Sequence, residues 1–462
     1  MADRYDVVIV GGGPAGMFAA LELTRASHLR VLLLEKGREL EERRCPARQQ
    51  SRPCIACQPC NLVCGLGGAG AFSDGKLTLS SEVGGNLADY VGTEATAGLI
   101  QEVDATYRHF GAPDRLYGVG PGVDELGRKA ARVGLHLKPM PVRHLGTEHC
   151  RLVLHDMWEH LRPRVDVRTG TVVADILADD GRVCGLTTGR GEVIECHYLV
   201  VAPGREGAGW LAGEAERLHL TVRQNPVDVG VRVEVPSAVM QEFCDILYEG
   251  KLEYISPTFR DRVRTFCMCP GGEVIVESTG GADPVITVNG HSYAGHSTEN
   301  TNFALLVSTT FTEPFHEPEA YGKYLARLAN LLAGGVLVQR LGDLMQGHRS
   351  TPERLGRGGV RPTLASATPG DLSFALPYRH LTGLVEMLGA MQRLIPGVSG
   401  PDTLLYGVEV KFYSNRLQLS PVLETGIANL FAAGDGAGVS RGLIQASASG
   451  VVVAREILRR AA

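Results

Sequence analysis

The chain has no apolar run approaching the length of a membrane span, which excludes a membrane-spanning helix. It has little excess of either charge: a formal net charge of −5 gives no bulk electrostatic drive toward nucleic acid. No low-complexity tract and no repeat period is present, which excludes a repeat array. The first strand begins at residue 5 or 6, leaving no room for a signal peptide, so the expected location is the cytoplasm. What is there suits an enzyme. With 462 residues, 44% hydrophobic and 21% charged, the chain buries a large core and fills two domains or more.

Two glycine clusters, one near each end, carry the most chemistry. Asp6-Val7-Val8-Ile9-Val10 reads as a buried parallel strand and runs into Gly11-Gly12-Gly13-Pro14-Ala15-Gly16, with a helix following over Met17–Ala26. Gly11 permits the tight turn, Gly13 lets backbone approach a pyrophosphate, and Gly16 lets helix and strand pack closely. The helix start, with Pro14 and Ala15, points N–H groups and a positive dipole end at phosphate. A second strand, Arg30–Leu34, ends in Glu35-Lys36, where a carboxylate grips ribose hydroxyls. Near the other end, Leu430–Ala433 runs into Gly434-Asp435-Gly436-Ala437-Gly438 and a helix over Gly442–Leu458. Asp435 suits a ribityl or phosphate-side hydroxyl. The helix start at Gly442, Leu443 and Ile444 suits the negative charge that develops on a reduced flavin. Both signatures together indicate one long dinucleotide, FAD.

The stretches GGGPAGMFAALEL, GLGGAGAFSDGKL (65–77), RHLGTE (143–148), TFCMCPGG (265–272) and GDGAGVSRGLIQASASG (434–450) resemble a family. It is the largely uncharacterised FAD-dependent dehydrogenase family of the glutathione-reductase-type flavin fold, related to geranylgeranyl reductases. The resemblance implies an α/β class, with a Rossmann-like FAD domain interleaved with a mixed-sheet α+β substrate domain. It also implies flavin contacts from Gly67, Gly68, Ala69 and Ser73, and from Gly204 after the strand Tyr198–Val201. The expected segments are 1–222 (with a Cys-rich loop at 45–64 and a helical insertion at 84–140), 223–360 for the substrate domain, and 361–462 for the return. Val227, Val229, Val231 and Val233 alternate as in a half-buried strand.

Cys54, Cys57, Cys60 and Cys64 have the C-x2-C-x2-C-x3-C spacing of a ferredoxin-type [4Fe–4S] run, and Cys45-Pro46 is a candidate remote ligand. Gly65 stands where ferredoxins have proline, and structural zinc, reduced thiols or a redox disulfide compete for the same residues. Candidate catalytic residues are Lys76, for polarising flavin N5 or a substrate carboxylate; Cys267 and Cys269, which share a strand-to-turn junction; and His291 and Tyr293 as proton-transfer groups. His144 reads as an organiser of the flavin domain, and Arg349 and Arg416 as carboxylate anchors by type. A single dinucleotide fingerprint leaves no separate NAD(P)H domain. The expectation is hydride transfer on a C–C or C–N bond of a small organic molecule, with a ferredoxin-type carrier or NAD(P)H as electron partner. A cluster relay to the flavin is one elaboration; a flavin monooxygenase and a flavin/thiol redox sensor are the rivals.

Overall fold

A computed structural model describes residues 3–46, 57–73, 75–223, 227–278, 285–292, 297–309, 311, 315, 317–411 and 416–462. The chain divides into two compact units. One comprises Met1–Leu116, Val142–Gln224 and Ser414–Ala462; the other comprises Tyr117–Pro141 and Asn225–Tyr413.

The first unit is built on a sheet whose parallel layer runs in the order Asp166–Arg168, Val31–Leu34, Asp3–Val10, Val193–Val201. Val7–Val10, Val31–Leu34 and Leu199–Val201 are continuous apolar runs, as strand segments covered on both faces must be. Val7, Val8 and Ile9 are fully buried, as are Leu199, Val200 and Val201. The strand Val193–Val201 changes partners along its length. Its first residues pair antiparallel with Arg182–Thr188, and Leu199–Val201 pair parallel with Leu430–Ala432. The sequence marked Tyr198–Val201 as a strand; parallel pairing with Asp3–Val10, from Ile194 through Val201, makes it the end of a longer one.

The second unit is a mixed sheet. Its order is Thr368–Pro369, Leu337–Arg340, Leu404–Lys411, Val227–Pro236, Asn300–Thr309, Arg262–Cys269, Lys251–Ile255, Leu135–Lys138. On one face Val229 pairs with Val307, Val231 with Leu305 and Val233 with Phe303. These side chains share an apolar core with Leu325 and Ala326 of the helix Pro318–Ala333 and Leu384 and Met387 of the helix Tyr378–Leu394. Each such burial is worth about 1.5–3 kcal/mol before entropy is counted. The other face carries Asp228, Arg232 and Glu234, and all three are buried too. The alternation therefore marks two buried faces, not the half-buried strand that it suggested.

Two segment boundaries differ from the sequence expectation. The strand Leu404–Lys411 lies between Leu337–Arg340 and Val227–Pro236 in the second unit, so the chain returns to the first unit at Ser414, not at 361. Within the expected insertion 84–140, Leu135–Lys138 pairs with Lys251–Tyr254, which assigns Tyr117–Pro141 to the second unit. The α/β class itself, a Rossmann-like layer interleaved with a mixed-sheet domain, is as expected.

Candidate functional site

Three strands of the first unit end side by side, and each end turns on glycine. The Ala202 N–H donates to the Val10 carbonyl at 2.8 Å, and the Ala433 N–H donates to the Val201 carbonyl at 3.0 Å. The turns at Gly11–Gly16, Ala202–Gly204 and Gly434–Gly438 therefore leave one edge of the parallel layer, its carboxyl edge, where open α/β sheets bind ligands. Gly11 has φ +105°, and a Cβ there would lie 2.2 Å from the Ala202 carbonyl oxygen. A Cβ on Gly16 would lie 2.0 Å from the Gly11 carbonyl oxygen, so helix Pro14–Ala26 can seat against the turn only with glycine there. Gly204 and Gly434 also hold positive φ, at 65° and 76°.

A fourth segment lies across this edge. The Gly67 N–H donates to the Gly12 carbonyl at 2.8 Å, and a Cβ on Gly68 would lie 3.0 Å from the Gly13 Cα. A Cβ on Gly70 would fall 2.6 Å from Leu443 Cδ2 and 3.7 Å from Pro14 Cγ. The fingerprint, the central glycine turn and the distal helix start thus meet around Gly70. Ala69 is exposed beside it, and the Ser73 hydroxyl donates back to the Gly70 carbonyl at 2.8 Å.

Glu35 is buried, and its carboxylate accepts N–H groups from Gly12 (2.8 Å), Gly37 (2.8 Å) and Gly65 (2.9 Å). A carboxylate offers about four lone-pair positions, so one on Oε2 is left for a hydroxyl donor. Lys36 forms an ion pair with Glu206, and Asp435 pairs with Arg205 at 3.0 Å. Asp435 keeps a second oxygen, as Arg205 takes only Oδ2.

Three organising side chains were not foreseen. Arg43 is 1% exposed and donates to the carbonyls of Asn61 (2.9 Å), Leu62 (3.0 Å), Leu66 (2.6 Å) and Gly68 (2.8 Å). Burial lowers its guanidinium to about 10, even though Glu35 nearby favours the charge. Gln445, in the first turn of helix Leu443–Ala461, donates to Ser80 O (3.2 Å) and Val83 O (3.1 Å) and accepts from Leu87 N (3.2 Å). Ser449 accepts the Gly434 N–H at 3.0 Å. Gln445 and Ser449 fall inside the distal family stretch; nothing local marked Arg43.

Among the described residues, no three His, Cys, Asp or Glu side chains are grouped to hold a metal ion. Cys45, Cys57, Cys60 and Cys64 are free, while Cys54 lies outside the described residues. Burial pushes the Cys64 thiol up, against the pull of Lys36. With Cys54 outside the described residues, the described cysteines do not by themselves make up the ligand shell that the spacing suggested.

Of the other candidates in the first unit, Lys76 stands opposite His144 in a short antiparallel pair, and Arg416 is held by Asp89 (2.8 Å) and the Tyr90 hydroxyl (2.7 Å). A cleft of about 530 Å³ lined by Arg4, Cys184, His197 and Tyr198 opens near the start of strand Asp3–Val10, away from the glycine turns. In the second unit Arg349 is exposed, His291 ends the strand Ile286–His291, and Tyr293 lies outside the described residues. Cys267 and Cys269 do not share a simple face. Phe266 opposes Ala304 and Cys269 opposes Asn302, so two residues bulge against one, and Cys267 takes φ +43°. Both nevertheless meet Arg232, whose Nη2 lies 2.8 Å from the Cys267 carbonyl and 3.4 Å from Cys269 Sγ.

Residues 226–412 match the family described as "FAD-dependent protein, C-terminal domain-like", and residues 5–52 match "Pyridine nucleotide-disulphide oxidoreductase". An uncharacterised protein of Clostridium beijerinckii is 27% identical over 481 residues, covering 98% of this chain and 80% of the relative. Among solved structures, the L-proline dehydrogenase of P. horikoshii is 12% identical with a TM-score of 0.43, covering all of this chain and 95% of its own. The glycine oxidase of Bacillus cereus is 14% identical with a TM-score of 0.39, covering 99% and 95%. Mycobacterium smegmatis Sdh1 is 15% identical with a TM-score of 0.44, covering 99% and 69%.

Proposed function

We propose that this chain, an FAD-dependent oxidoreductase by its fold and its family matches, holds the dinucleotide along the carboxyl edge of the parallel layer and transfers hydride to or from a C–C or C–N bond of a small organic molecule. One observation carries the reading: the three glycine turns converge at that edge, with Gly70 between Pro14 and Leu443. A pyrophosphate needs close backbone approach and unopposed N–H groups. The glycine-only contacts at Gly11 and Gly16 hold the turn tight enough for that approach, and the start of helix Pro14–Ala26 supplies the donors.

FAD, when bound, supplies the hydride chemistry and the exchange between one- and two-electron steps. The residues do the holding. Glu35, fixed by three backbone N–H groups, offers its remaining lone pair to a ribose hydroxyl. Asp435, fixed on one oxygen by Arg205, offers the other to a second hydroxyl. The N-terminal end of helix Leu443–Ala461 favours negative charge at the far end of the cofactor. Arg43 keeps the segment 61–68 in place, with four of its five N–H donors on backbone carbonyls. Electrons exchange with a small carrier protein or with NAD(P)H, consistent with a single dinucleotide fingerprint. The cysteines at 45–64 enter no step.

The test is the visible spectrum of the purified protein, with the flavin released by heat and separated chromatographically. FAD near one per chain is expected. Protein that carries no flavin, and takes up none when FAD is added to the apoprotein, sinks the proposal.

A further inference from the structure

The carboxyl edge of the first unit carries charge pairs that the glycine turns do not account for. Along that edge the parallel strands end in the order Val31–Leu34, Asp3–Val10, Val193–Val201, Leu430–Ala432. Glu206, beyond the third of these, forms an ion pair with Lys36, beyond the first. Neighbouring strands lie about 4.8 Å apart, so the pair bridges roughly 10 Å. It spans the end of the strand between, where Gly11–Gly13 leads into the helix Pro14–Ala26. Arg205 reaches the other way and donates from Nε (3.1 Å) and Nη2 (3.0 Å) to Asp435 Oδ2. Two adjacent side chains thus connect Lys36, next to the Glu35 that takes a ribose hydroxyl in the proposed placement, with Asp435 of the distal signature.

The base of this turn is fixed and its tip is not. A Cβ on Gly436 would lie 2.4 Å from the Gly204 carbonyl oxygen, and one on Gly207 would lie 2.6 Å from the Pro203 carbonyl oxygen. The helix that follows, Ala208–Arg217, is tied to the strand Val173–Asp179: the Trp210 indole donates to the Ala174 carbonyl at 2.7 Å, and Glu214 accepts the Ile176 N–H at 2.6 Å. Between these anchors Arg205 and Glu206 are exposed, and the paired Lys36 and Glu206 side chains keep 31% and 36% of their surface in water. Rotamer changes alone can separate them. A pair this exposed adds little to the stability of the fold. A carboxylate beside a pyrophosphate site also repels the anion. What distinguishes the pair is its position across the first glycine turn.

We propose that Lys36 and Glu206 are positioning residues that form a clasp over the dinucleotide, with Arg205 steadying the tip of the turn against Asp435, so that FAD enters or leaves only when the pair opens. The inference rests on the proposed placement of FAD along this edge. A clasp acts on passage and slows entry and exit alike. A carboxylate that merely stands near the phosphates acts in the opposite sense: removing its charge strengthens the hold on an anion and slows release. The sign of the change at Glu206 therefore separates the two.

The experiment is stopped-flow flavin fluorescence on the full chain. Uptake is read on mixing apoprotein with FAD, and release on mixing the loaded protein with an excess of a flavin-trapping protein. Glu206→Gln is expected to raise both rate constants by about 2- to 5-fold, as loss of an exposed pair allows, and to leave Kd nearly unchanged. The difference from wild type shrinks as added salt screens the pair. Exchanging the two charges, Lys36→Glu together with Glu206→Lys, restores the slow rates. Four results overturn the clasp while leaving the FAD placement standing: slower release from Glu206→Gln, unmoved rates, faster release without faster uptake, or an exchanged variant as fast as Glu206→Gln. Protein that takes up no FAD overturns the placement, and the clasp with it.

Discussion

Gly450 packs its backbone directly on Ala15: a Cβ at Gly450 would lie 2.0 Å from the Ala15 carbonyl oxygen and 3.0 Å from the Ala19 N. The helix that follows the distal signature therefore crosses the helix of the first at backbone contact. Gly450→Ala must push the two apart, and overpacking of this kind costs about 1–3 kcal/mol. The expected result is a melting temperature several degrees lower with weakened flavin retention; an unchanged thermal melt would refute the close crossing.

Glu35→Gln keeps the shape of the side chain but turns an NH2 toward backbone N–H groups that need an acceptor. Losing one charge-assisted bond and opposing donor to donor costs about 1.5–3 kcal/mol. FAD affinity, titrated by fluorescence on the apoprotein, is expected to fall by about 10- to 100-fold.

Arg43→Lys retains the charge but not the planar fork that reaches four carbonyls. Each buried carbonyl left without a donor costs about 1–3 kcal/mol. Hydrogen exchange is expected to accelerate across residues 61–68 while the helix Pro14–Ala26 stays protected. Uniform protection in both segments would show that Arg43 is not the clamp.

His380 is a pH-sensitive group of the second unit. It is 3% exposed, accepts or donates at Thr309 Oγ1 (3.0 Å), and burial lowers it to about 4. The unfolded chain binds the proton more readily than the fold does, so this contribution is complete above about pH 6.5 and is lost as pH falls toward 4. Up to about 3 kcal/mol is at stake over that window. Melting temperatures of wild type and His380→Gln, compared at pH 7 and pH 5, should converge at the lower pH; parallel curves would contradict the shift.

The legible parts of this molecule were the local ones. Gly11 to Gly16 and Gly434 to Gly438 announce turns by composition, and the sequence stretches on either side announce strand and helix. Arg43 was not legible because its partners are carbonyl oxygens, which every residue has. The buried charges were hidden for a different reason. Alternation of Val229, Val231 and Val233 with Asp228, Arg232 and Glu234 shows two faces of different chemistry, but only pairing with Glu409 and Lys411, far along the chain, decides that the polar face is also covered. The bulge at Cys267 likewise depends on the register against Asn300–Thr309, which no window around the cysteine contains.

The strand Val193–Val201 takes its last parallel neighbour, Leu430–Ala432, from beyond the whole of the second unit. During synthesis the mixed-sheet unit has all of its residues before the parallel layer has its final strand. Until Leu430–Ala432 emerges, Leu199–Val201 present an open, fully apolar edge, a template for pairing with other chains. On the proposed placement of FAD, loading of the cofactor is then one of the last events in the maturation of the protein, and chains stopped short of that strand are expected to aggregate instead of surviving as empty enzyme.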